Sequence, residues 1–169
     1  LATRYLLECG HRDAAFFAGQ LKENGVMQKR LAGYRQALEE FGAAYREDYV
    51  FEGQIDYKSG VTMAERLARS GTGVTAIVAA ADILAIGAIK GLYNSGLLVP
   101  EDMSIIGFDD LEISQYLAPG LTTIRQQISL KGQRAVELLL EHIADPSLSK
   151  QEEILPLKLI ERGSVKKLV

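Results

Sequence analysis

Residues 75–80 have the sequence TAIVAA, and Asp82 follows this run just before a helical pattern of apolar residues. A short run of β-branched and small apolar residues predicts a buried strand. We expect the carboxylate of Asp82 to cap the following helix, which carries Leu84 and Leu92, because a carboxylate accepts backbone N–H groups at a helix start. The stretch therefore predicts a strand that passes into a helix at a polar residue.

The same unit of a strand and a helix is repeated on both sides of this stretch. Apolar runs of strand length occur at residues 14–18, near 49–51 and at 103–108. The first two are followed by apolar residues at helical spacing, at 31–41 and at 61–68. This alternation predicts an α/β fold, a doubly wound parallel sheet with helices on both faces and right-handed crossovers.

The first thirty residues add a helix and a loop to this pattern. Residues 1–10 are expected to form an amphipathic helix closed by Gly10. The lone Cys9 cannot form an internal disulfide and is expected to face the core, which fits a reducing cytoplasm. The stretch from Gly19 to Lys29 is polar and contains glycine, so we predict a loop there.

The pattern changes after residue 120. We predict a short strand at 121–124, a long helix over 128–143 that ends at Asp145-Pro146-Ser147, and two extended pieces at 154–155 and 158–160. The predicted strand at 121–124 and the extended piece at 158–160 are expected to be passages between two lobes.

Polar residues collect where the predicted strands end. Arg30 follows the first loop, and the later strands are followed by Gln54 and Asp56, by Asp82, and by Asp109 and Asp110. Ligands of open α/β sheets bind outside the carboxyl ends of the strands, so we predict a ligand crevice at this edge. For the adjacent aspartates a structural capping role and ligand hydrogen bonding both remain open, while acid–base catalysis is disfavoured.

Charge and hydropathy exclude two classes of protein for this chain. There are 19 Lys and Arg against 22 Asp and Glu, a formal charge of −3, whereas independent duplex binders carry a strong basic patch. Residues 62–71 resemble the first part of a helix-turn-helix, but the strand predicted at 75–80 stands where the recognition helix belongs. The apolar stretches 74–81 and 83–89 are shorter than the ~18 residues of a membrane span, so no membrane partner is expected.

The sequence lacks the common motifs of metal binding, nucleophilic catalysis and phosphate or dinucleotide binding. The two histidines have no HExxH-like spacing, so no metal site is predicted. The sequence has no GxSxG elbow, no GxxxxGK[ST] loop and no GxGxxG after the first strand. We therefore expect no catalytic residue, no cofactor and no enzyme activity.

Four stretches, in order and at similar spacing, resemble the LacI/GalR family of bacterial transcription regulators, whose effector-binding core also looks like the sugar-binding proteins of transport systems. The stretches are Arg30-Leu31-Ala32-Gly33-Tyr34, residues 99–110 (VPEDMSIIGFDD), residues 119–126 (PGLTTIRQ) and residues 159–164 (LIERGS). The match spans almost the whole chain.

This resemblance implies a domain organisation and a set of partners. Residues 1–119 would be the C-terminal lobe of an effector-binding core, 120–150 a return segment of the N-terminal lobe, and 151–169 the closing segment and tail. The chain would bind a small polar effector such as a sugar or a nucleobase and form a homodimer. It would reach operator DNA through an N-terminal helix-turn-helix that this chain lacks. The alternative is a secreted sugar-binding protein of a transport system.

The resemblance also assigns effector-binding residues by position. They are Arg30, Asp109, Ile55, Ala81, Asp82, Val26 and Asn24. Arg30 matches an arginine that bonds effector hydroxyls or a carboxylate, which suits its planar five-donor fork. Three positions depart from the common pattern: Ala81 replaces Asn or Ser, Ile55 an aromatic residue and Gln54 an Asp. These departures argue against a simple pyranose, because stacking and polar fixing orient a sugar ring.

Overall fold

The computed structural model describes residues 1–149 and 151–168. Its helices and strands alternate along the chain. The helices are α1 (Ala2–Glu8), α2 (Val26–Glu40), α3 (Tyr57–Ser70), α4 (Asp82–Asn94) and α5 (Ile128–Ala144). The strands are β1 (Ala14–Ala18), β2 (Val50–Glu52), β3 (Ala76–Ala79), β4 (Ser104–Asp109), β5 (Thr122–Arg125) and β6 (Lys158–Ile160), and 3-10 turns occur at Glu47–Tyr49 and Glu112–Gln115.

The six strands form one sheet in the order β2-β1-β3-β4-β5-β6. Every neighbouring pair is parallel except β5 and β6, which are antiparallel. Because strand side chains point alternately to the two faces, β1 supplies Ala15 and Phe17 to one core and Phe16 to the other. The first core packs under α3 and α4 and the second under α1 and α2, so the predicted doubly wound sheet is confirmed.

Three local predictions were wrong. The loop predicted from Gly19 to Lys29 ends at Gly25, and α2 begins at Val26, because the polar residues that follow are its exposed first turn. Residues 154–155 do not form a strand. Asp82 does not cap α4: the N-cap is Ala81, and the Asp82 carboxylate is directed to other elements.

Glycines bring α3 and α4 into close contact. A Cβ on Gly87 would overlap the carbonyl oxygen of Tyr57 and lie 3.0 Å from the Cα of Gly60. A Cβ on Gly91 would lie 2.9 Å from the Cβ of Ala64. The two backbones therefore touch at a distance that no larger residue allows.

Helix α5 stands apart from both cores. None of its residues is buried, although it carries the predicted apolar pattern. Five of its large apolar side chains are between 56% and 66% exposed: Ile128, Val136, Leu139, Leu140 and Ile143. Leu130 and Leu138 are half-buried. Residues 126–157, from the end of β5 to the start of β6, are therefore an excursion that contributes little to the core of the sheet.

The last residues of the described chain return to its first elements. Ser164 donates its hydroxyl to the Ile105 carbonyl at 2.6 Å and accepts the Thr122 N–H at 2.8 Å. Leu168 donates its N–H to the carbonyl of Cys9 at 2.8 Å. Cys9 is buried, as predicted.

His11 is fully buried beside this C-terminal segment. Its Nε2 lies 3.2 Å from the Lys166 carbonyl and its Nδ1 lies 2.9 Å from the Thr75 hydroxyl. A carbonyl can only accept, so Nε2–H donates to it and Nδ1 accepts from Thr75. Burial lowers the pKa of His11, and the nearby Lys166 charge acts in the same direction.

We expect this histidine to make the stability of the chain depend on pH. Below about pH 6.5 the imidazole is protonated in the unfolded state, while burial opposes its protonation in the folded state. The free energy of unfolding should therefore decrease as the pH is lowered, by up to about 1.4 kcal/mol per pH unit. Urea unfolding near pH 7.5 and near pH 5 measures this. His11→Gln should reduce the difference, and His142→Gln, at the chain's other and exposed histidine, should not. An unchanged difference in His11→Gln would contradict the assignment.

Candidate ligand-binding site

The carboxyl ends of β1, β2, β3 and β4 lie at one edge of the sheet, because these strands are parallel neighbours. Arg30, in the second turn of α2, and Asp109, the last residue of β4, meet at this edge. Their Nη2 and Oδ1 atoms are 3.5 Å apart. The structure thus brings together an arginine and an aspartate that are distant in sequence.

Arg30 is held in place by three groups. Its Nη1 donates to the Ala80 carbonyl at the end of β3, and its guanidinium lies 3.8 Å from the ring centroid of Phe108. The contact with Asp109 is too long for a strong hydrogen bond. A guanidinium has five N–H donors, so this arrangement fixes the group while leaving donors for a ligand.

Asp109 is held in a backbone conformation that side chains rarely adopt. Its φ is 122°, and its Oδ1 accepts a hydrogen bond of 2.6 Å from Gln126. Such conformations cost about 1–3 kcal/mol and cluster at functional sites. The strain is therefore consistent with a binding role for this carboxylate.

Burial dominates the electrostatics of this pair. It raises the pKa of Asp109, against the opposing effect of the Arg30 charge, and it lowers the pKa of Arg30, against the effect of Asp109. For each ion, the attraction to its partner is thus smaller than the hydration that it loses on burial. A ligand that hydrogen-bonds to both groups would supply the missing solvation.

Asp82 lies behind the site and not in it. It is fully buried, and Oδ2 accepts hydrogen bonds from the Leu111 N–H at 2.8 Å and the Ser114 hydroxyl at 2.7 Å. Oδ1 accepts the Thr123 hydroxyl at 2.5 Å. The carboxylate therefore ties α4, β5 and the segment after β4 together, which corrects the expectation that it faces the ligand.

The other residues assigned by resemblance occupy different positions. Ala81 is buried next to the Ala80 carbonyl that Arg30 contacts. Ile55 is 47% exposed and packs on Gly19, where a Cβ would overlap its side chain. Val26 and Asn24 are exposed at the start of α2 and in the loop before it, and Val26 is one helical turn from Arg30.

Two residues of the cluster were missed by the sequence reasoning. Gln126, directly after β5, donates to Asp109, and Phe108 supports the guanidinium of Arg30. Both lie in stretches that resemble the LacI/GalR family, residues 99–110 and 119–126. The position of Gln126 could have identified it. β5 is the neighbour of β4, so the residue after β5 lies beside the residue that ends β4.

Residues 1–149 and 151–168 contain neither a candidate metal site nor a candidate membrane span. No three His, Cys, Asp or Glu side chains there are grouped so that they could hold a metal ion. No helix in these ranges is both long and apolar enough to span a bilayer.

Comparison with known proteins identifies the fold. Residues 3–165 match the family described as the periplasmic binding protein-like domain. The chain belongs to this family. It is 38% identical over 168 residues to the HTH-type transcriptional repressor PurR of Vibrio campbellii, a match that covers 99% of this chain and 50% of that protein. The chain thus spans about half the length of the curated relatives it matches.

Solved structures of this family give the same result. A LacI family transcriptional regulator from Enterococcus faecium with bound ribose has a TM-score of 0.88 and 32% identity, covering 99% of this chain and 62% of that one. The lac repressor dimer bound to operator and the anti-inducer ONPF also has a TM-score of 0.88 and 32% identity, covering 98% of this chain and 58% of that one. The predicted resemblance to the LacI/GalR family is confirmed.

Proposed function

We propose that this chain is the effector-binding and dimerising part of a LacI-type transcription regulator, and that a small polar molecule binds where Arg30 meets Asp109. The observation that carries the proposal is the incompletely paired, strained and partly buried Arg30–Asp109 contact at the carboxyl edge of the sheet. The relatives are named as repressors and the chain has no sequence motif of an enzyme. This supports a regulator over a transport protein or an enzyme.

The geometry favours a ligand with donors and acceptors on adjacent atoms. Arg30 can only donate and an ionised Asp109 can only accept, and the two groups are 3.5 Å apart. Neighbouring hydroxyls of a sugar and the edge of a nucleobase both offer this pattern. Ile55, 47% exposed, would give apolar contact without a stacking ring.

A second lobe would close over this site. We infer that residues 1–119 and 151–169 belong to one lobe and that the segment 120–150 leads into the other. β5 and β6, which complete the sheet of the first lobe, would be the crossings. The support is that α5 has no buried residue and borders a groove of about 330 Å³, lined in part by Leu138, Leu139 and Leu148. An apolar helix face of this kind is typical of a surface covered by another part of a protein.

A homodimer and DNA binding through another part of the regulator complete the proposal. Exposed apolar side chains occur at the start of α3 and in the turn before β5, with Tyr57, Ile113 and Tyr116 at 52%, 46% and 70% exposure. A symmetric dimer would bury exposed apolar side chains such as these at its interface. Sedimentation of the full-length protein measures this, and a monomer at high concentration would contradict it.

The site itself is tested by ligand screening of the full-length protein. Thermal shifts with D-ribose, other sugars, sugar phosphates and nucleobases identify a ligand, because a ligand that binds only the folded state raises its apparent stability. Calorimetry then gives the affinity. No binding by any member of these classes would count against the proposed function.

Arg30→Ala is expected to weaken binding of that ligand about 10- to 100-fold, because charge-assisted hydrogen bonds contribute about 1.5–3 kcal/mol. Arg35→Ala is the matched control: Arg35 is on the same helix but is exposed and contacts Tyr45. Calorimetry of both variants, with circular dichroism to check folding, measures the effect. Equal affinities in the two variants would remove Arg30 from the site.

A further inference from the structure

The residue after Asp109 makes a different set of contacts. Asp110 also has a positive φ, 53°, and its side chain is only 6% exposed. Its Oδ1 accepts a hydrogen bond of 2.8 Å from Arg162, and its Oδ2 accepts one of 2.5 Å from Arg125. The two aspartates thus use their carboxylates for different partners, Asp109 for Arg30 and Gln126, and Asp110 for two other arginines.

Both partners of Asp110 belong to the crossing strands. Arg125 is the last residue of β5, and Arg162 follows β6 by two residues. Arg162 also donates to the Leu121 carbonyl at 2.8 Å, and its backbone N–H donates to the Thr122 hydroxyl at 2.9 Å. One carboxylate therefore joins the end of β4 to the segments that enter and leave residues 126–157.

The two arms of this ion pair differ in environment. The Arg162 side chain is 17% exposed, whereas that of Arg125 is 50% exposed. Exposed ion pairs contribute little, while removing one member of a buried pair is costly. The arm to Arg162 should therefore dominate, and the arm to Arg125 provides an internal control.

We propose that Asp110 is a positioning residue that locks the β5–β6 crossing to the turn presenting Asp109, so that ligand contact and the orientation of residues 126–157 change together. This inference rests on the proposed function for its regulatory meaning. Asp109 and Asp110 share one peptide unit and both have positive φ, so a movement of either residue disturbs the partners of the other.

The ligand-free arm of the test uses backbone amide exchange in the full-length protein. Asp110→Asn and Arg162→Gln should each accelerate exchange in β5 and β6 by about tenfold or more, with β1 unchanged. The double variant should be no faster than Arg162→Gln alone, because the Asp110–Arg162 contact is already lost in that variant. Arg125→Gln should change exchange less than about threefold. Equal acceleration in β1, or additive effects in the double variant, would overturn the proposal.

The second arm uses the probe that gives the largest thermal shift in the screen, with D-ribose as the first choice. In the wild type the bound probe should slow exchange in β6. In Asp110→Asn the probe should still bind, within about threefold in affinity, while its effect on β6 is lost. Retention of that effect would overturn the positioning role and leave the proposed function intact. If no probe binds the wild type, the proposed function fails, and the ligand-free arm alone decides whether Asp110 locks the crossing.

Discussion

Replacing Asp82 with alanine is expected to lower the free energy of unfolding by roughly 3–5 kcal/mol, because it leaves buried donors without an acceptor. The Leu111 N–H and the hydroxyls of Ser114 and Thr123 all donate to this one carboxylate. The space beside it cannot be filled by a neighbour easily, since the carboxylate packs against Gly107. The loss would loosen the connection between α4, β5 and the segment that follows Asp109.

Urea unfolding measures this effect, and Asp56→Ala is its control. Asp56 is the N-cap of α3 and accepts one hydrogen bond of 2.7 Å from the Ser59 N–H at an exposed position. Loss of such a cap costs about 1 kcal/mol. If Asp82→Ala were no more damaging than Asp56→Ala, the Asp82 network would not hold these elements together.

Gly87→Ala is expected to destabilise the chain by about 3 kcal/mol or more, because overpacking against backbone atoms cannot be relieved by a side-chain rotation. The added Cβ would overlap the carbonyl oxygen of Tyr57 and force α3 away from α4. Thermal unfolding followed by circular dichroism measures the loss.

Gly33→Ala is the control, because an added Cβ at this glycine meets no neighbouring atom. Gly33 is in the middle of α2 and nothing lies within 4 Å of the position of its missing Cβ. Alanine there should be neutral or stabilise the helix by up to about 1 kcal/mol. Because alanine favours a helix more than glycine does, helix propensity cannot account for a loss of stability. A destabilisation of equal size in both variants would show that the effect at Gly87 does not come from the contact of α3 with α4.

Patterns that repeat over short distances were sufficient to predict most of the fold. β1 was predicted at its observed bounds, and α5 differs from its prediction by one residue at its end. The start of α2 was misplaced, because an exposed first turn and a polar loop have the same composition. The periodicity of apolar residues distinguishes elements that have an apolar face. It cannot distinguish an exposed helical turn from a loop, because both are polar.

The candidate site shows the same limit more clearly. Arg30 and Asp109 were predicted to share an edge because each follows or ends a strand of the predicted parallel sheet, and the structure brings them together. The partners of Asp82 are 29 to 41 residues away in sequence, and Arg162 is 52 residues from Asp110. No spacing rule connects such residues, so a carboxylate that supports the fold and one that faces a ligand have the same local sequence signature.

The return of residues 164–168 to Cys9, His11 and Ile105 has a consequence for synthesis on the ribosome. The sheet cannot acquire its antiparallel strand β6 or bury His11 until residues 158–168 have left the exit tunnel. Contacts across so many residues close slowly. A nascent chain that has formed β1 to β5 therefore has an unpaired sheet edge at β5 until β6 emerges. We expect a chaperone to protect the chain most during this interval.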